Sequence, residues 1–163
     1  MSSARSRGRE YALQVLYEID VSGKDAEVAL RDYWKHFQTS ENRASGPPPD
    51  AATREFTQTL VMGVITLRDE LDAMVEKSSI NWRLDRMPRV DRNVLRLACF
   101  ELAKVPGTPR KVVINEAIEL GKRYGTEESG AFINGILDKV ATELGGEPED
   151  DESGEDGAKG RGK

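Results

Sequence analysis

The stretch EFTQTLVMGVITLRDELDAMV, residues 55–75, decides the fold class. Phe56, Leu60, Val64, Leu67, Leu71, Met74 and Val75 recur in it at three- and four-residue steps. That is the period of one helix face, kept for about five turns, and no strand follows it. Asp50 stands just ahead, where a carboxylate can accept from the free N–H groups of a helix start. The spacing predicts one long helix running on from Asp50, the central beam of the molecule.

The same period spreads outward in both directions. Ala12, Leu13, Leu16 and Ile19 predict a helix from about Arg9 to Asp20. Ser22-Gly23-Lys24 breaks it, and Asp25 caps the next, whose face carries Ala26, Leu30, Tyr33, Trp34 and Phe37. Residues 39–50 contain ASGPPPD, a stiff polar connection. Beyond the beam, SSINWRLDRMP (residues 78–88) reads as a junction with room for one short helical turn. Pro88 suits the first turn of a helix striped by Val90, Val94, Leu97, Ala98 and Leu102. VPGTP (residues 105–109) ends it, and the next helix runs from about Arg110 to Tyr124 with Val113, Ile114, Ala117, Ile118 and Gly121 inward. Gly125 stops that helix, and Thr126 is placed to cap the last, striped by Ile133, Ile136, Leu137, Val140 and Leu144.

No segment keeps a two-residue alternation. The expected architecture is therefore all-α, six or seven helices in two small packed bundles. Residues 1–144 form one domain, with subdomains of about 1–77 and 78–144. Residues 145–163, GGEPEDDESGEDGAKGRGK, hold seven acids, three bases and six glycines, with no apolar side chain larger than Ala158. Such a segment cannot offset its ordering entropy and is expected to be a disordered acidic tail.

The 163 residues carry a formal charge of −5, but the tail holds most of it. Residues 1–144 keep 21 bases against 22 acids, so the overall acidity does not exclude a nucleic-acid surface. One cysteine, Cys99, and one histidine, His36, can form neither an internal disulfide nor a four-ligand zinc site. No leader of signal-peptide type opens the chain, and no run reaches the ~18 apolar residues that cross a membrane. These features point to a cytoplasmic chain without cofactor or metal.

Catalytic patterns are weak. GKRYG (residues 121–125) has Arg123 where a phosphate-binding loop needs Ser or Thr, and Glu116 where it needs its first glycine. His36 sits among aromatic residues and reads as a partly buried packing residue, and Cys99 as a small buried hydrophobe. No carboxylate pair stands out, so no enzyme activity is expected. What stands out is basic. Arg5, Arg7 and Arg9 precede the first apolar stripe, and Arg83, Arg86, Arg89, Arg92 and Arg96 crowd residues 82–96. Arginine forks match phosphate oxygens, although Asp85 and Asp91 could equally pair with the second group.

Four segments together resemble the NusB family of bacterial transcription antitermination factors. They are ARSRGREYALQVLYEID (residues 4–20), RVDRNVLRLACFEL (89–102), KVVINEAIELGKRYG (111–125) and FINGILDKV (132–140). The acidic tail and the triple-proline loop lie outside the family pattern. The resemblance implies an all-α protein without enzymatic activity. It also implies binding to boxA, a single-stranded element of ribosomal RNA transcripts, in company with NusE, a small-subunit ribosomal protein. The assembly acts on RNA polymerase, which then reads through terminators.

By the same resemblance, Arg5, Arg7 and Arg9 lie on the RNA surface, as do Glu128, Ser129 and Phe132 at the start of the last helix. Tyr17 and Asp91 face NusE. Ser6 and Gly8 interrupt an arginine run that is often continuous in the family, and Ala131 stands where many members have lysine. Fewer positive contacts imply weaker RNA binding alone and more dependence on the partner. Helix geometry is consistent with the carry-over. Phe132 lies about 100° from the stripe centre at Ile133, so its ring can reach solvent and stack on an unpaired base. Tyr17 lies off the Ala12–Leu13–Leu16–Ile19 stripe. Two other readings stay open: a helical homodimer without direct RNA contact, and an RNA-binding module related to the N-terminal part of ribosomal RNA methyltransferases.

Overall fold

The structure, a computed structural model, describes residues 3–37, 48–80 and 82–145. Most of the triple-proline connection and residues 146–163 of the acidic tail lie outside the described residues. Seven α-helices and no strand occur among those described. They are α1 (Ala4–Ser22), α2 (Ala26–His36), α3 (Ala51–Thr66), α4 (Arg68–Ser78), α5 (Arg89–Lys104), α6 (Arg110–Tyr124) and α7 (Ser129–Glu143). A 3-10 turn, Leu84–Arg86, lies between α4 and α5. The chain divides into two compact units, Met1–Leu71 and Asp72–Lys163, so the division falls within α4 rather than near residue 77.

In the first unit, α1 packs against α3, and α2 packs on both. Leu13, Val15, Leu16, Leu30, Leu60, Val61, Val64 and Leu71 form its core. Gly8 is the contact point between α1 and α3. A Cβ built there would stand 2.9 Å from Phe56 Cδ2, so a larger residue would have to push the Phe56 ring aside. The Thr57 hydroxyl, fully buried, donates to the Thr53 carbonyl oxygen at 2.8 Å and lies 3.4 Å from that of Gly8. The residue that interrupts the arginine run therefore does so for packing.

The long beam is two helices. Leu67 leaves helical geometry at φ −105°, ψ 21°, and α4 restarts at Arg68. Gly63, Val64, Ile65 and Thr66 ahead of the break are weak helix formers, and Asp69 and Glu70 after it favour a fresh helix start. The apolar period survives the break because Leu60, Val64, Leu71 and Val75 all remain buried. A second difference lies at the N-terminus. Ser3 caps α1, accepting from the Ser6 N–H at 3.0 Å, so the helix begins at Ala4 and the three arginines are helical.

In the second unit, α5 packs against α6 and α7, and α6 against α7. α5 is buried on more than its apolar stripe, because Asn93, Arg96 and Glu101 are buried along with Val94, Leu95, Leu97, Ala98, Cys99 and Phe100. The last helix starts at Ser129 rather than after Thr126; Glu128 holds the cap position without a side-chain bond. Thr126 instead opens a turn in which its backbone oxygen accepts from the Ser129 N–H at 3.1 Å. His36 also departs from expectation, being exposed rather than partly buried, with its ring 6.2 Å from that of Phe37.

Candidate nucleic-acid interface

The candidate residues of the first unit lie on α1. Arg5 is exposed, and its guanidinium sits 4.6 Å from the centroid of the Phe56 ring. Arg9 sits 5.5 Å from the same ring and is only 5% exposed, so its side chain is packed inward here. Gly8 draws α1 onto α3 and carries Arg9 inward with it. Arg7 is half-buried, and its Nη2 donates to Thr53 Oγ1 at 3.4 Å. Nearby, Asp50 accepts from the Thr53 N–H at 2.9 Å. That bond, with a smaller contribution from Arg7, lowers the Asp50 pKa. Of the three arginines, Arg5 alone is well exposed. Tyr17, 44% exposed on the same helix, keeps the outward position expected of it.

The second unit's candidates gather at the start of α7. Phe132 is half-buried at the edge of the helix stripe, and Glu128 is exposed. Ser129 is different. It is 1% exposed, and its hydroxyl donates to Asp91 Oδ1 at 2.7 Å while accepting from the Thr126 N–H at 2.9 Å. Asp91 is itself 4% exposed on α5. Burial raises its pKa, against a smaller lowering by the Ser129 bond. Both side chains are buried here and form an internal link between α5 and α7. Gly125 makes room for the link, since a Cβ there would stand 2.4 Å from Ser129 Oγ.

The arginines of residues 82–96 do not form one patch. Arg83, Arg86 and Arg89 are exposed, and Arg83 lies 3.5 Å from Asp85. Arg92 is half-buried, with Nη1 3.5 Å from the Leu84 carbonyl oxygen. Arg96 is buried, donating through Nε and Nη2 to both Asp72 carboxylate oxygens at 2.7 and 3.1 Å, and through Nη1 to Asn93 at 3.3 Å. A bidentate, nearly buried pair of this kind holds α4 to α5.

Sequence reasoning missed Trp82. It is 48% exposed, and its ring lies 6.0 Å from that of Phe132 at an interplanar angle of 65°. The available signal was a tryptophan within a basic stretch that joins no apolar stripe. Cys99 is buried, and its thiol is pushed up to about 12 by burial, with a smaller push from Asp72. Among the described residues, no cluster of metal-ligating side chains occurs, and no helix is long and apolar enough to cross a membrane.

The model of the NusB family matches residues 6–142. The chain is 52% identical over 144 residues to the transcription antitermination protein NusB of Anaeromyxobacter dehalogenans, covering 88% of this chain and 94% of that one. It is 52% identical over 141 residues to the protein of the same name from Myxococcus xanthus, covering 86% and 96%. Among solved structures, T. maritima NusB superposes with a TM-score of 0.74 at 35% identity, covering 88% of this chain and 94% of that one. A structure of the antitermination factors NusB and NusE in complex with double-stranded RNA gives 0.74 at 25% identity, covering 88% and 99%. With seven helices among the described residues, a matching family model across most of its length and relatives at half identity, this chain belongs to the NusB family.

Proposed function

We propose that this chain works as a transcription antitermination factor in the cytoplasm, binding boxA-type single-stranded RNA together with NusE and acting on RNA polymerase through that assembly. Its role is binding and assembly rather than catalysis. The observation that carries the reading is the Phe132 ring, set at the first turn of α7 by the buried Ser129–Asp91 bond and left partly open to solvent. Aromatic rings held in this way receive unpaired bases, and sequence-specific readers of single-stranded RNA use them. Arg5 adds a cation for phosphate. Tyr17 offers an amphipathic ring of the sort enriched at protein interfaces and is the proposed contact to NusE. Asp91 supports the assembly from within by holding Ser129.

The test is a titration of fluorescent boxA-type RNA against a scrambled strand, with and without NusE. Tighter binding to boxA, strengthened by NusE, is expected. Equal affinity for both strands under both conditions would overturn the proposal.

A further inference from the structure

Trp82 is an apolar side chain left half in water on a backbone pinned from several sides. The Ser79 hydroxyl donates to the Trp82 carbonyl oxygen at 3.0 Å. Two residues on, the Leu84 N–H donates to the Glu76 carboxylate at 3.3 Å, while Leu84 and Met87 are buried as anchors. The Trp82 ring meets Phe132 alone among the aromatic side chains described. Cations flank the two rings along the chain. Arg86, four residues after Trp82, is exposed and has no ion pair among the described residues. The Lys122 side chain lies across Gly130 in the first turn of α7, with its Cγ 3.2 Å from where a Cβ would stand.

We infer that Trp82 and Phe132 together form one binding platform for an unpaired nucleobase, with Arg86 and Lys122 supplying charge for the adjoining phosphates. The inference rests on the proposed RNA-binding function and extends it to a residue and a ligand class. The rings are inclined at 65°, so a base laid on one face is buttressed by the other ring. A base within a duplex is already stacked and cannot enter, so the platform takes single strands. Because every base has a π-face, Trp82 supplies affinity more than sequence choice.

The chain has two tryptophans, so Trp34→Phe leaves Trp82 as the sole indole emitter. Titrating that variant with a boxA-type single strand should quench its emission, and the same sequence as a full duplex should not. Trp82→Ala should weaken single-strand binding about ten- to a hundredfold, the range of one base stack, with Trp82→Phe restoring most of it. The log–log salt slope should stay unchanged in both. Arg86→Gln should instead lower that slope by about 0.7. Single-strand binding that neither quenches the emission of Trp34→Phe nor weakens in Trp82→Ala overturns the platform while leaving the proposed function intact. If the parent chain shows no single-strand binding, the proposed function falls first. Should Trp82→Ala fail to fold, the quenching experiment alone decides.

Discussion

The first turns of α1 and α7 carry the two groups of RNA candidates, and they are built in opposite ways. α1 has a capping side chain, Ser3, and puts three arginines at the positive end of the helix dipole, where charge of that sign is mildly unfavourable. The Phe56 ring lies under two of them, and only Arg5 stays well exposed. α7 has no side-chain cap, and its serine turns inward to a buried carboxylate. What α7 offers to solvent is a ring. A group's place in sequence near a helix start thus says little about its use; the neighbouring helix decides which atoms stay outside.

The same contrast extends to the buried arginines, and here the largest effect is expected. Arg9 packs its guanidinium near the Phe56 ring, and Arg96 pairs its own with the Asp72 carboxylate. Asp72→Ala leaves the Arg96 guanidinium buried without its bidentate partner and should cost about 3 kcal/mol in urea unfolding. A loss as small as that of an exposed ion pair would mean that Asn93 and water suffice, and the contrast with Arg9 would vanish.

The Asp91–Ser129 link comes next. Asp91→Ala should cost about 2 kcal/mol, because the buried Ser129 hydroxyl loses its acceptor. Asp91→Asn keeps an acceptor and removes the titration. The folded pKa of Asp91 is raised, so the folded chain holds this proton to higher pH than the unfolded chain does. The favourable contribution is present below the unfolded pKa and is lost as pH rises through the folded one. The stability of Asp91→Asn relative to the parent should therefore increase with pH across the upper carboxylate range. A difference that stays flat with pH would show that the buried carboxylate is not titrating there.

The smallest effect separates the α1 arginines from one another. Arg5→Gln should lower the log–log salt slope of RNA binding by about 0.7 and leave the melting temperature unchanged. Arg9→Gln should do the reverse, lowering stability by about 1 kcal/mol with no change of slope. If both variants change the slope equally, Arg9 leaves its ring to meet RNA, and the two helix starts are less different than they look.

Legibility from sequence followed the apolar period. Asp25 and Asp50 cap α2 and α3 as their positions suggested, and α6 spans Arg110–Tyr124 as expected. The edge position of Phe132 and the exposure of Tyr17 follow from their angles to the stripe. The break at Leu67 was hidden because a helix restarted in phase keeps the same apolar spacing. On α5 the period understated burial, since polar faces there are enclosed as well as the apolar one.

By itself, then, the sequence determined the helical class, the limits of α6 and the starts of α2 and α3, most of each apolar face and the family, although Leu144, expected inward, is exposed. Periodicity is a local property, and each stripe reports on its own helix. Only the tertiary structure decided which arginines remain outside, that Asp91 and Ser129 bond to each other, and that Trp82 reaches Phe132. Those outcomes depend on residues 38 to 50 positions apart along the chain, including Gly8 on Phe56, Asp91 on Ser129 and Trp82 on Phe132. Burying a charge or freeing a ring is settled by what packs over it, and no local pattern records that.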